Sequence, residues 1–164
     1  MLLLGLDFET TGLDFSRDRI IEVGAVLWDT DARIPLRIPS ELVQHHDDDP
    51  LTGCPPITQE ITDINGITQV MIDAHGHSWT DVLAELMQWV QDLDVAAVVA
   101  HNGTTFDKPM LEANLAHSKL HAPPGMSLVS WSELMTLPWI DTCTDVDYPA
   151  RVTTRKLTHL AAEH

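Results

Sequence analysis

Two carboxylates stand two residues apart near the start of the chain, Asp7 and Glu9. Residues 2–9 are a short apolar run that ends at the turn signal Thr10-Thr11-Gly12, which predicts a buried strand. Because side chains alternate along a strand, both carboxylates are expected on one face and Phe8 on the other. Ionised carboxylates this close repel each other. Mg²⁺ and Mn²⁺ prefer hard oxygen ligands such as carboxylates, so either ion would relieve the repulsion by binding between them. The pair therefore predicts a metal site. The alternative interpretation is that these are two acids at the end of a strand that face solvent.

A third carboxylate, Asp107, follows a second apolar run, at residues 95–100. The intervening segment reads HNGTTF, and Asp107 is expected in the first turn of the next helix. Asp is a common choice at a helix start because it accepts hydrogen bonds from unpaired backbone N–H groups. The same placement suits a carboxylate at the edge of a metal site.

The elements that would position these residues alternate between strands and helices. Further strands are predicted at 20–29, at 33–38 as an edge strand restricted by its prolines, at 95–100 and at 139–141. The apolar spacing predicts a helix over 78–93, and helices are also expected at 107–117, 130–137 and 154–164. Residues 39–60 are polar and are expected to form a loop. The order β-β-β-α-β-α-β-α predicts one mixed α/β domain.

The composition is that of a folded but strongly acidic protein. In 164 residues there are 25 Asp and Glu against 9 Lys and Arg, for a formal charge of −16. No Lys or Arg occurs over residues 38–107. Such a surface repels phosphate, which argues against general coating of nucleic acid. It still allows a nuclease whose bound cations reverse the local field, and the acidity could also serve solubility alone.

The cellular location is predicted from the cysteines and the hydropathy. The 2 cysteines, Cys54 and Cys143, lie far apart and without CxxC spacing, which favours reduced thiols and a cytoplasmic protein. No apolar run approaches the roughly 18 residues that a membrane span needs. We therefore expect no association with a membrane.

Several stretches together resemble one enzyme family. DFETTG at 7–12 and Asn102-x-x-x-Phe106-Asp107 resemble the first two motifs of the DEDD 3′–5′ exonucleases. That family includes the proofreading subunit of bacterial replicative polymerases. RIIEVG at 19–24 resembles its second strand, and INGIT at 64–68 resembles the segment between the motifs, where a His often stands at the position of Asn65. The resemblance implies a ribonuclease H-like α/β fold, a mixed sheet flanked by helices, in a single domain over 1–164.

The same resemblance implies a site and a reaction. Asp7, Glu9 and Asp107 would be the catalytic residues and would hold two divalent ions, Mg²⁺ or Mn²⁺. The substrate-binding residues would be Thr10, Thr11, Gly12, Leu13, Asn102 and Phe106. The implied reaction is hydrolysis of the terminal phosphodiester at the 3′ end of single-stranded DNA or RNA by a two-metal mechanism. A polymerase or another protein would be a partner.

The third motif of the family is absent. It reads His-x4-Asp or Tyr-x3-Asp, but no His here has an Asp five residues later, and Val152 stands four residues after the only Tyr, Tyr148. Residues 157–164 resemble the helix that precedes this motif in the His subgroup, so we expect the domain to be incomplete at its C-terminus. The alternative is a degenerate, non-catalytic module that binds a nucleic-acid end or a protein.

Other polar residues have weaker interpretations. The missing carboxylate could be replaced by Asp141, Asp145 or Asp147. A separate metal site could form at Asp73, His75 and His77 or in the run 45–49. The best candidates for contacting a phosphate backbone are the basic cluster of Arg151, Arg155 and Lys156.

Overall fold

The computed structural model describes residues 1–45, 53–121, 131–149, 152 and 154–156. Its strands are β1 (Leu2–Thr10), β2 (Ile20–Asp29), β3 (Ile34–Arg37), β4 (Ser40–Gln44), β5 (His77–Ser78), β6 (Val95–Ala100) and β7 (Trp139–Asp141). Its helices are α1 (Gln59–Asn65), α2 (Gln69–His75), α3 (Trp79–Asp92), α4 (Asp107–His121) and α5 (Trp131–Thr136). The ribonuclease H-like α/β fold that we expected is confirmed.

The strands form one mixed sheet with β1 near its centre. The order is β5-β4-β2-β1-β6-β7, and β3 also pairs with β2. β1 runs antiparallel to β2 and parallel to β6, and β7 continues the parallel part beyond β6. Hydrogen bonds to β2 and β6 hold β1 on both sides, so the backbone that carries the side chains of this strand is fixed in position.

One hydrophobic core joins the sheet to α3 and α4. Alternate β1 residues, Leu4, Leu6 and Phe8, are 0%, 4% and 5% exposed and belong to this core. The predicted apolar face of α3 is buried with them, through Val82, Leu83, Leu86, Trp89 and Val90. From α4 the core takes Met110, Leu111 and Leu115. Burial therefore fixes α4, and with it the first residue of that helix, against the sheet.

The two short helices between β4 and β5 differ from the prediction, which had no helix there. Thr58 and Thr68 cap α1 and α2 by accepting from Ile61 N and Met71 N. Gly66 ends α1 with φ 79°, a left-handed conformation that glycine adopts without strain. A small cluster of Ile21, Ile67 and Ile72 ties this segment to the sheet.

Two other expectations are wrong in the described residues. Within the segment 39–60, predicted as a loop, Ser40–Gln44 form β4, because their backbone pairs with β2 at Glu22–Gly24. The start of the predicted helix at 154–164 is not helical over 154–156, while 157–164 lie outside the described residues. No helix in the described ranges is long and apolar enough to cross a bilayer.

Candidate active site

The predicted alternation along β1 is present. Phe8 lies in the core, while Asp7 and Glu9 extend from the other face of the sheet, Asp7 exposed and Glu9 half-buried. They lie in the second half of the strand, past Gly5, the last β1 residue that pairs with β6. The two carboxylates therefore lie on the part of β1 that no longer pairs with the parallel strand β6.

Asp107 contacts β1 beyond the point where β1 stops pairing with β6. The backbone N–H of Phe8 donates to Asp107 Oδ1 over 3.1 Å, across 99 residues of sequence. Asp107 is the first residue of α4 and is only 3% exposed. A buried strand N–H needs an acceptor, and this carboxylate provides one. The hydrogen bond holds Asp107 against the residue that separates Asp7 from Glu9.

The three carboxyl groups resist ionisation in this arrangement. Burial, and then the charge of Asp7, raise the pKa of Asp107 to about 7. Desolvation raises the pKa of Asp7, with a further contribution from Glu22. Desolvation also raises the pKa of Glu9, opposed by a hydrogen bond from Asn65 and aided by the charges of Asp7 and Glu22. The site therefore gathers acidic groups whose ionised forms a nearby cation would favour.

Glu22 is a member of this acidic group that the sequence analysis did not select. It lies on β2 directly opposite Glu9, and Ser40 Oγ donates to its Oε1 over 2.6 Å. The available signal was a single carboxylate inside an otherwise apolar strand, IIEVGAV. Pairing of β1 with β2 places the carboxyl group of Glu22 beside Asp7 and Glu9 as a fourth acidic side chain.

His101 also comes close to the acidic group. A positive charge on His101 lowers the pKa of Asp7. The ring Nδ1 lies 2.9 Å from Thr142 Oγ1, which links the ring to the segment after β7. The sequence alone did not predict a role for His101, because its proximity to Asp7 depends on the parallel pairing of β1 with β6.

The donor set fits a hard divalent cation. Carboxylate oxygens are the ligands that Mg²⁺ and Mn²⁺ prefer, and Asp7, Glu9 and Asp107 provide them from two elements that meet at one edge. In the described part of the chain, no three His, Cys, Asp or Glu side chains already converge as a formed metal cage. Asp107 Oδ1 accepts the hydrogen bond from Phe8 N. The other oxygen of this carboxylate, Oδ2, is the atom that could bind a metal ion.

A cleft of about 550 Å³ opens beside Glu9. Its walls come from the end of β1 and the turn after it, from α1 and the residues before it, and from Phe106. Of the residues predicted to bind substrate, the lining includes Thr10, Thr11, Gly12, Leu13 and Phe106. Phe8, Glu9, Arg17, Asp18, Pro55, Pro56, Thr58, Glu60, Ile61, Ile64 and Asn65 complete it. This volume is in the range of small-ligand sites, with an apolar rim at Leu13 and Ile64, which are 79% and 74% exposed.

The threonine side chains in this wall are engaged within the chain. Thr10 Oγ1 donates to Gly12 O over 2.7 Å, and Thr11 Oγ1 donates to Asp18 Oδ1 over 3.1 Å. Both threonines are 7% exposed. A Cβ at Gly12 would lie 2.3 Å from Asp18 Oδ2, so a side chain at this position would require the Asp18 carboxylate to move. The threonine hydroxyls are therefore committed to hydrogen bonds that shape the wall.

Asn102 lies outside the cleft, unlike the other residues predicted to bind substrate. It has φ 62°, and its Oδ1 accepts from Thr105 Oγ1 over 2.6 Å. Its carbonyl accepts from Phe106 N over 3.1 Å. In this structure Asn102 forms the turn that leads to Phe106 and Asp107.

Asp141 anchors that turn from the end of β7. Its Oδ1 accepts from Asn102 N and Cys143 N, each over 2.9 Å, and its Oδ2 accepts from the N–H and hydroxyl of Thr104 over 3.1 and 2.7 Å. Burial opposes its charge, but these hydrogen bonds outweigh burial and keep the pKa of Asp141 below its ordinary value. Since both oxygens are engaged, Asp141 in this structure supports the turn rather than replacing a missing metal ligand.

The remaining candidates are not gathered at the cleft. His77 Nε2 pairs with Glu41 Oε2 over 3.3 Å, and Asp73 accepts from Gln69 Nε2 over 2.9 Å. The guanidinium of Arg155 lies 5.7 Å from the centre of the Tyr148 ring and donates to Cys143 O. Arg151 and residues 46–49 lie outside the described residues.

Comparisons with known proteins agree on a nuclease fold. The family model RNase_T, described as "Exonuclease", matches residues 4–141. A DNA polymerase III PolC-type of Thermotoga maritima is 34% identical over 97 residues, which are 59% of this chain and 6% of that protein. An oligoribonuclease of Nocardia farcinica is 37% identical over 67 residues, 41% of this chain and 31% of that protein. E. coli Exonuclease I in complex with a dT13 oligonucleotide superposes with a TM-score of 0.67 at 16% identity, covering 98% of this chain and 35% of the other. The chain thus spans less than a third of each of these two sequence relatives.

Proposed function

The chain belongs to the exonuclease family, and we propose that it acts as a 3′–5′ exonuclease domain on single-stranded nucleic acid. The hydrolysed bond is the terminal phosphodiester. Asp7, Glu9 and Asp107 are the catalytic residues, and two divalent cations, Mg²⁺ or Mn²⁺, are the cofactors. The observation that supports the proposal is the hydrogen bond from Phe8 N to Asp107 Oδ1, which holds the carboxylate of α4 against the β1 residue between Asp7 and Glu9, beside the cleft.

The acidic side chains would hold the cations in the following way. Glu9 faces the cleft, Asp7 lies two residues before it on the same strand face, and Asp107 lies against the strand between them. When bound, the ions supply an activated water and neutralise charge at the leaving oxygen. Because the pKa values of all three carboxyl groups are raised, bound cations would also relieve the repulsion among them.

The cleft walls would position the last nucleotide. Leu13, Ile64 and Phe106 give the base apolar surface, and Phe106 is itself supported by Phe15, whose ring centre is 6.1 Å away. Gly12 lines the cleft with backbone alone, and a Cβ there would meet the Asp18 carboxylate. Fixing the strand end in this way converts hydrolysis into a reaction between groups that are already oriented.

The relatives support the proposed substrate and setting. Exonuclease I was solved with a dT13 oligonucleotide, which supports single-stranded DNA as one substrate class, and the oligoribonuclease supports RNA as the other. The polymerase relative favours a polymerase as partner. Cys54 and Cys143 are free thiols, which favours a reducing compartment such as the cytoplasm.

A non-catalytic module is the competing function, and one specific observation favours it. The sequence contains neither His-x4-Asp nor Tyr-x3-Asp, and Asp141 is fully engaged by hydrogen bonds. A positioned general base typically contributes about 10²–10⁴-fold to a rate. We therefore expect residues 1–164 to hydrolyse slowly and to retain metal binding.

The two functions are separated by a single-turnover assay. A 5′-labelled single strand is incubated for hours with excess protein and Mn²⁺, beside the variants Asp7→Ala and Asp92→Asn. Asp92 is an exposed acid on α3, so Asp92→Asn is the control. We expect products that shorten one nucleotide at a time with the wild type and with Asp92→Asn, and no shortening with Asp7→Ala. Binding of the strand without shortening would support the non-catalytic module instead.

A further inference from the structure

Arg17 is the only basic side chain among the described residues that line the cleft. Three acids share that lining, Glu9, Asp18 and Glu60. A phosphodiester strand carries one negative charge per nucleotide, so a strand entering this cleft meets repulsion from all three acids. A cation in the wall is the feature that could offset it.

The backbone around Arg17 is held in a tight turn. Arg17 N donates to Asp14 O over 3.0 Å, and Asp18 N donates to the same carbonyl over 2.7 Å. The carbonyl of Arg17 accepts from Arg19 Nη1 over 2.9 Å. Arg19 is 3% exposed, so this contact ties the turn to the interior. The origin of the Arg17 side chain is therefore fixed, while the side chain itself is exposed.

Asp14 and Asp18, the acids before and after Arg17 in this turn, are engaged by other donors. Asp14 Oδ1 accepts from Ser16 N and Ser16 Oγ over 2.9 and 2.7 Å. Asp18 Oδ1 accepts from Thr11 Oγ1 over 3.1 Å, and its Oδ2 accepts from Asp14 N over 2.8 Å. The hydrogen bonds of Ser16 are the main cause of the lowered pKa of Asp14, and the charge of Arg17 contributes least. In the described part of the chain, no carboxylate comes within 4.0 Å of the Arg17 guanidinium to form an ion pair.

We infer that Arg17 binds a backbone phosphate of the nucleic-acid strand held in the cleft. This inference rests on the proposed function and adds a phosphate-binding residue to it. A guanidinium presents paired N–H donors that match two phosphate oxygens, and it stays charged at every working pH. In a chain with a formal charge of −16, a cation at this wall would give an entering strand a local point of attraction.

The test is the salt dependence of binding. A fluorescent single strand is titrated with the wild-type protein in Ca²⁺ at several KCl concentrations, beside Arg17→Ala, Arg17→Lys and Arg37→Ala. Arg37 is an exposed cation on β3 outside the cleft lining, so its removal changes the net charge by the same amount. For Arg17→Ala we expect about tenfold weaker binding and a plot of log K against log[KCl] whose slope is smaller in magnitude by about 0.7. Arg17→Lys should keep the slope, and Arg37→Ala should keep both quantities.

Two contrary outcomes are distinguishable. If the wild type binds the strand and Arg17→Ala retains its slope and affinity, or if Arg37→Ala changes them equally, the assignment of Arg17 is wrong and the proposed function stands. If the wild type neither binds nor shortens the strand, the proposed function fails, and the assignment fails with it.

Discussion

The metal-free protein should become less stable as the pH rises, and Asp107 should be the main cause. Burial and the charge of Asp7 raise the pKa of Asp107 from its ordinary value of 3.8 to about 7. Between these values the folded state holds a proton that the unfolded state has released, so the stability is fully present below about pH 4 and is lost as the pH rises through 7. At 1.36 kcal/mol per pKa unit, this shift corresponds to a loss of about 4 kcal/mol in the free energy of unfolding. The value is an upper limit, because water and side chains can rearrange around the ionised carboxylate.

Asp107→Asn isolates this effect. The amide carbonyl can still accept from Phe8 N, but it carries no charge. At pH 8 in EDTA we expect the variant to be more stable than the wild type by up to about 4 kcal/mol, or roughly 10 °C in Tm. Near pH 4 the two proteins should be alike, because the wild-type carboxyl group is then protonated.

Urea unfolding from pH 4 to 8.5 measures this difference, with Asp92→Asn as the control for removing an exposed acid. That control should shift stability by about 0.5 kcal/mol at most, as is usual for a surface substitution. Mn²⁺ should stabilise the wild type and have much less effect on Asp107→Asn. The electrostatic account is refuted if wild-type stability in EDTA is flat between pH 4 and 8, or if Asp107→Asn is less stable than the wild type at pH 8.

Three other outcomes are expected. Asp7→Ala should abolish Mn²⁺ binding in calorimetry because Asp7 shares a strand face with Glu9, and unchanged binding would rule out the site. Asp141→Asn should destabilise the protein by about 3 kcal/mol in urea unfolding, because its amide group would face the donors of Thr104. The exposed Asp145, which accepts from Asp141 N, is the control, and an equal loss for Asp145→Asn would contradict the special role of Asp141. Gly12→Ala should cost about 1–3 kcal/mol and weaken strand binding, because its Cβ would collide with Asp18; full binding by this variant would show that the turn can move.

The residues whose positions depend on local periodicity could be predicted from the sequence. Alternation along β1 is enough to separate Asp7 and Glu9 from Phe8, and the apolar spacing of α3 gives its buried face. Asp107 could be predicted at a helix start because Asp favours that place and the strand before it is apolar. What remained open was whether the helix start meets β1, which only the packing of α4 against the sheet decides.

Features that depend on distant pairing could not be predicted. β4 has one fully buried residue, Val43, and becomes a strand because β2 pairs with it. Asp141 reaches Asn102 across 39 residues, so its part in the turn has no local signal. Arg17 stood in a polar loop like other exposed charges, and its position on the cleft wall follows from the turn that Asp14 organises.

The most direct test of the central claim is the identity of the first product from a strand labelled on its 3′-terminal nucleotide. With Mn²⁺ and excess protein, the label should leave first as a mononucleotide. A 3′-phosphate on the strand should slow its release, and Asp7→Ala should prevent it. A labelled fragment longer than one nucleotide, a label that stays on the longest fragments, or release at the wild-type rate by Asp7→Ala would contradict 3′–5′ hydrolysis by this acidic site.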